Sequence, residues 1–302
     1  MAKAHPIHGL DCDAPAFTEA SAVLQVRFDE ILTFHSAALE PHGIEGVHDM
    51  RVASRRFRSA LRDFSPLFEK KAVKSLKRHG KLVADALGEV RDQDVAIEAL
   101  GALRDKAPNA AIAAGVNALI EARQALRSDA YSQFLKHVTA ERLTEIRNEL
   151  ERDLNLKADG DAPIFRSFAA NAIERAHKKF VDRAESIYEP FNDKALHKLR
   201  LSAKRLRYAL ELFDNCWAGE LKPFAKYVSK LQSSLGEVHD SSEWIGYLSQ
   251  IRENDGIDRQ TASWLISEFL SLRTAEYLKA LEMWNEWLAS DLTGRLRAII
   301  TK

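Results

Sequence analysis

The residues with the most evident chemistry form two rows of cations, each led by a histidine. His48 to Phe64 reads HDMRVASRRFRSALRDF, and His197 to Phe213 reads HKLRLSAKRLRYALELF. Both open on His-x-x-Arg, continue through a basic pair (Arg55-Arg56 and Lys204-Arg205) to Arg58 and Arg207, and close on Phe. The offset between the copies is constant and already holds at Glu40-Pro41 and Glu189-Pro190. A gap-free match of this length points to an internal repeat. Guanidinium, ammonium and imidazole groups in a row are suited to binding an anion. Arginine offers paired donors to phosphate or carboxylate oxygens, and lysine acts as a point charge.

On a helix of about 100° per residue, Arg62, Arg51, Arg55 and Arg58 share the arc of His48. Met50, Ala53, Phe57, Ala60, Leu61 and Phe64 fall on the opposite side. The second copy places His197, Arg200, Lys204 and Arg207 on the basic arc, and Leu199, Leu206, Leu210 and Phe213 on the apolar one. Glu211 replaces Arg62, so the second row is shorter. The rows compete with a plainer reading, long charged side chains covering a solvated face. Such a face normally mixes signs so that i,i+4 pairs form. This arc is nearly all basic and carries a histidine at the same place twice, which favours an anion site.

These rows need long helices to hold them. The chain has 302 residues, with 44 Lys and Arg against 44 Asp and Glu. With no net charge, what counts is local segregation. Lys194, Lys198, Arg200, Lys204, Arg205 and Arg207 follow one another with no intervening acid, and such a field can capture a polyanion. Cys12 and Cys216 have neither metal-ligand spacing nor a disulfide framework, so reduced thiols and a cytoplasmic location are expected. No secretory leader or transmembrane run is visible.

Residues 1–13 read as a loose arm. Helices are expected over about 15–40, 44–64, from about 68 across Gly88, and 108–137, followed by a polar linking segment to about Gly160. The second set covers about 163–188, 192–213, 221–252 across Gly236, and 258–288, with a short tail helix at 292–300. Leu87-Gly-Glu-Val-Arg-Asp92 is echoed by Leu235-Gly-Glu-Val-His-Asp240. There the glycines suggest a bend or a close helix approach. Asp92 and Asp240 are read as helix caps or as partners of Arg56 and Arg205. Arg127-Ser-Asp-Ala-Tyr131 resembles Arg273-Thr-Ala-Glu-Tyr277. Trp264, Trp284 and Trp287, at helical spacing, are expected in the core. No strand pattern competes. The fold class is all-α, two four-helix bundles of long antiparallel helices related by the repeat, residues 14–158 and 159–302.

The motif His-x-x-Arg-Val-x-x-Arg-Arg-x-Arg, taken with Leu-Gly-x-x-Arg-Asp, resembles the CHAD family, the conserved histidine α-helical domains, over nearly the whole chain. The resemblance implies two four-helix bundles related by pseudo-twofold symmetry and a basic surface, formed where the halves meet, that binds inorganic polyphosphate. It also implies association of some members with polyphosphate granules. The family's motif positions match His48, Arg51, Arg55 and Arg58, then His197, Arg200, Lys204 and Arg207. Basic residues of the third and fourth helices often join the surface, which makes candidates of Arg78, Lys81, Arg123, Arg127, Lys226, Lys230 and Arg273. His239 in place of Arg91, and the acidic Glu211, are departures that make the second half the weaker binder. The Glu-x-Glu-x-Lys strand of the triphosphate-tunnel domain found beside many relatives is missing, so a stand-alone binding module with no cofactor is implied.

Two other functions are open to these residues. Basic helices suit a nucleic-acid backbone, but the rows lack interleaved aromatics for stacking bases. His48-Asp49 and His239-Asp240 are the dipeptides of a metal-dependent His-Asp phosphohydrolase. Neither is repeated in the other half, and neither has a histidine pair at i,i+4 to complete a metal site.

Overall fold

The structure, a computed structural model, describes residues 5, 7–40, 43–157, 163–250 and 257–302. Ten α-helices carry most of them: α1 (Ala16–Ala38), α2 (Ile44–Phe64), α3 (Lys70–Arg104), α4 (Ala110–His137), α5 (Ala140–Asp153), α6 (Phe165–Ala184), α7 (Asp193–Phe213), α8 (Lys222–Ser249), α9 (Arg259–Ala289) and α10 (Leu292–Ile300). Among the described residues there is no strand, only the isolated bridges Pro15–Ile164 and Phe68–Lys157. No helix among them is long and apolar enough to cross a membrane.

The basic helices form where their periodicity places them. In α2, Met50, Ala53, Phe57, Ala60, Leu61 and Phe64 are all buried; in α7, so are Leu199, Leu206, Leu210 and Phe213. This continuous apolar stripe is what holds each helix against its neighbours. The Asn192 side chain caps α7 by accepting from the Ala195 backbone N–H at 3.1 Å. α2 ends where Ser65-Pro66 begins a short tight turn, because proline clashes with a continuing helix. α1 packs along α2, and α8 along both α7 and α9. Gly46 permits the first of these contacts: a Cβ there would lie 2.1 Å from the Ala37 carbonyl oxygen.

The chain divides into two compact units, residues 1–99 with 120–168, and 100–119 with 169–302. The boundary expected at 158–159 lies outside the described residues. In the second unit Trp287 is fully buried against Phe180 and Tyr227, and Trp284 is buried beside it. Those two are core, as expected, while Trp264 is half-buried.

Several expectations need correction. The segment after His137 is not a plain link. It contains α5, whose Leu143, Ile146 and Leu150 are buried and whose first turn is capped by Thr139. Charged residues around these three positions hid a sound helical stripe. Gly88 and Gly236 lie inside α3 and α8, which continue across them as expected. Asp92 and Asp240 are therefore mid-helix and cap nothing. The N-terminal arm is tied down where it is described: Arg27 donates to the His5 carbonyl at 3.0 Å, and the Arg166 backbone N–H to that of Cys12 at 2.8 Å. Residues 1–4 and 6 lie outside the described residues. Neither cysteine is a free thiol; Cys12 and Cys216 are each disulfide-bonded, against the expectation of reduced thiols.

Candidate functional site

In the first unit the basic row of α2 runs along its seam with α3. His48, Arg51, Arg55 and Arg62 are half-buried, and Arg58 is exposed. The geometry at Gly80 explains how the row fits. A Cβ at Gly80 would lie 3.2 Å from Arg58 Cγ and 3.6 Å from a Phe57 ring carbon. The glycine leaves a shallow place for the aliphatic stem of Arg58, whose charged head stays in solvent. Burial, and after it the positive charge of Arg91, hold the His48 imidazole below its ordinary value.

The row is less purely basic in space than on the wheel. Arg51 Nη2 reaches Asp92 Oδ1 at 3.4 Å. Arg62 donates to both oxygens of Asp63, at 2.9 and 3.0 Å, and to Ser59. Arg56, off the stripe, faces the fully buried Glu30 at 3.8 Å, which also takes Arg27 at 3.0 Å. These acids temper the repulsion expected between like charges one turn apart.

In the second unit α7 and α8 run antiparallel, and Arg207, Arg200 and His197 each meet a small or titratable residue on α8. Arg207 donates to Ser229 Oγ at 3.1 Å, lies over the Tyr208 ring at 4.7 Å and faces Glu211 at 3.7 Å. Arg200 crosses Gly236, where a Cβ would lie 3.4 Å from its Nε. That buried Nε has no hydrogen-bond partner among the described residues. His197 stacks obliquely on His239, ring centroids 4.2 Å apart. Burial, then His239 and Arg200, hold the His197 imidazole below its ordinary value, with Glu243 and Asp240 opposing. Lys204 is half-buried on the same face.

The outlying candidates separate into three groups. Lys226 and Lys230 are exposed on α8, and Arg123 is half-buried on α4. Arg78 and Lys81 line an open groove with Leu82, Asp85, Glu89 and His137. That groove has mixed charge, and Lys81 stands 3.9 Å from Asp85. Arg127 and Arg273 are corrections. Arg127 Nε binds the buried Asp94 at 2.5 Å. Arg273 is itself buried, donating to the Pro190 carbonyl, Asp193 and Ser242 at 2.6, 2.8 and 2.9 Å. Beside them Tyr131 and Tyr277 donate to the Ala38 and Ile187 carbonyls at 3.3 and 2.7 Å. In both copies of the Arg-x-x-x-Tyr echo the tyrosine is thus a strut that ties the fourth helix to the end of the first.

Three placements were not legible in the sequence: Arg91 and His239, read there only as a difference between the halves, and Gly80. The first two are the fifth residue of the Leu-Gly-Glu-Val block, whose equivalence was visible but not its place opposite the motif histidine. Gly80 sits in a plain basic stretch and gives no sequence signal.

The sequence pattern of the CHAD domain matches residues 22–249, well over half of the chain. The chain belongs to the CHAD-domain family. Two curated proteins of Mycobacterium tuberculosis, one from strain H37Rv and one from strain CDC 1551, both uncharacterized, are 28% identical over 225 residues. The match covers 70% of this chain but 41% of each relative, so the chain spans less than half the length of these relatives. Among solved structures, the CHAD domain from the plant Ricinus communis superposes with a TM-score of 0.68 at 24% identity, covering 89% of this chain and 90% of that one. PptA from Streptomyces chartreusis superposes with a TM-score of 0.70 at 17% identity, covering 90% and 99%. At these identities the likeness carries the CHAD fold and nothing finer.

Proposed function

We propose that this protein binds inorganic polyphosphate through the basic rows of α2 and α7, as a non-catalytic module. The observation that supports the reading is that in each unit cations one helical turn apart line a seam with the next helix, and in the first unit the head of Arg58 is left to solvent. Spacing of about 5–6 Å along a helix suits a flexible chain that repeats one charge and offers no bases to read. Binding of this kind would also carry the protein to polyphosphate granules.

Nucleic acid fits less well. Tyr208, the aromatic nearest the second row, is buried beneath Arg207 and cannot stack on a base. A His-Asp metal centre fits poorly too, because the positive charge of Arg91 acts on His48 and would oppose a metal cation.

Calorimetric titration with polyphosphate of defined lengths, in competition with duplex DNA at matched phosphate concentration, tests the reading. Polyphosphate is expected to bind and to displace DNA. Absence of polyphosphate binding at low salt would refute the proposal, and a preference for DNA would favour the nucleic-acid alternative.

A further inference from the structure

The residue facing the motif histidine differs between the two seams, and the difference is chemical. Opposite His48 stands Arg91, which carries its charge at every accessible pH. Opposite His197 stands His239, with the two rings 4.2 Å apart. Arg200, one turn further along α7, lies against Gly236, one turn before His239 on α8. His197, His239 and Arg200 therefore converge on one stretch of the seam. The other charged groups facing His197 are Asp240 and Glu243 on α8. Asp193, at the start of α7, is held by Arg273 and Ser242.

We propose that His239 is itself a phosphate-binding residue and that, paired with His197, it makes the second row's hold on polyphosphate depend on protonation. This rests on the polyphosphate reading above and deepens it. Two imidazolium rings this close repel each other, and an anion lying over them offsets that repulsion. A phosphate group supplies that charge and accepts an N–H from each ring. At alkaline pH the second row is then reduced to Arg200, Lys204 and Arg207, and on acidification it gains two cations. The first row gains at most one, from His48, and keeps Arg91 throughout. Burial, which already holds His197 below its ordinary value, widens the gap between free and bound protein.

The test is calorimetry of the full chain with polyphosphate at pH 6, 7 and 8, in buffers of different ionisation enthalpy so that proton uptake is read directly. His239→Arg should raise affinity at pH 8 and lower proton uptake. It should also flatten the rise in affinity toward pH 6, by at most about tenfold for a histidine whose pKa the ligand lifts by a unit. His239→Gln should weaken binding at pH 6 by more than it does at pH 8. Arg91→His should create in the first row the pH dependence that His239→Arg removes from the second. Circular dichroism confirms that each variant is folded; if His239→Arg does not fold, His239→Gln and Arg91→His decide the matter. Wild-type binding with proton uptake unchanged across the folded variants would overturn this inference and leave the polyphosphate reading intact. Failure of the wild type to bind at pH 6 would overturn both.

Discussion

Replacing Arg58 by glutamate should cut polyphosphate affinity sharply while leaving the fold in place. Arg58 is exposed, and among the described residues no carboxylate pairs with it. Its stem packs over Gly80, and a glutamate stem partly replaces that contact. A hydrogen bond to a charged partner contributes about 1.5–3 kcal/mol, so losing it lowers affinity by roughly tenfold to a hundredfold. The reversed charge adds repulsion. Stability should move by no more than about 0.5 kcal/mol, as for other exposed substitutions. Arg51→Glu is the poorer probe, since it would set a carboxylate against Asp92, now 3.4 Å from Arg51. The assay is titration with a defined polyphosphate at several salt concentrations. The wild type should lose affinity linearly in log salt with a slope well beyond −3, at roughly 0.7–0.9 per contact, and Arg58→Glu should be shallower by about one contact. An unchanged affinity and slope would refute the row as the binding surface. A wild-type slope near zero would point to a shaped pocket instead.

Arg127→Ala should do the reverse of Arg58→Glu. It strands the buried Asp94 and should cost about 3–5 kcal/mol in urea unfolding, with little effect on binding per folded molecule; weakened binding without loss of stability would restore Arg127 to the surface. The double variant His48→Gln with His197→Gln bears on proton linkage. Both imidazoles lie below their ordinary value in the free protein and a polyanion favours their charged form, so wild-type affinity should rise as pH falls. The double variant should lose most of that rise between pH 8 and 6, and an unaltered profile would mean the histidines are structural. For the free protein the sign is opposite. His177 is fully buried and held below 6.5 by burial, so its contribution is complete above 6.5 and is lost as pH falls toward the lower folded value. Urea unfolding should show stability falling from pH 7.5 to 5.5, and His177→Gln should flatten the decline; equal slopes in the two proteins would remove His177 as its source.

The sequence by itself determined the helices and the two rows. A stripe at i, i+3 and i+4 is a local pattern, and the residues that bury Met50, Phe57 and Phe64, or Leu199, Leu206 and Phe213, stand within a few turns of the cations they place on the other side. Where the pattern was thin it misled. Leu143, Ile146 and Leu150 were lost among charges, and α5 with them. What only the tertiary structure decided was the partner of each polar group. Arg127 and Arg273 carry the same charge and lie on the same kind of helix as the row residues, yet Asp94 and Asp193 take them inside. Asp92 meets Arg51, and His197 meets His239, across seams that join residues some forty positions apart. The rotation of one helix against the next chooses these pairs. Rotation is fixed by how whole apolar faces pack, and no window of sequence contains both faces.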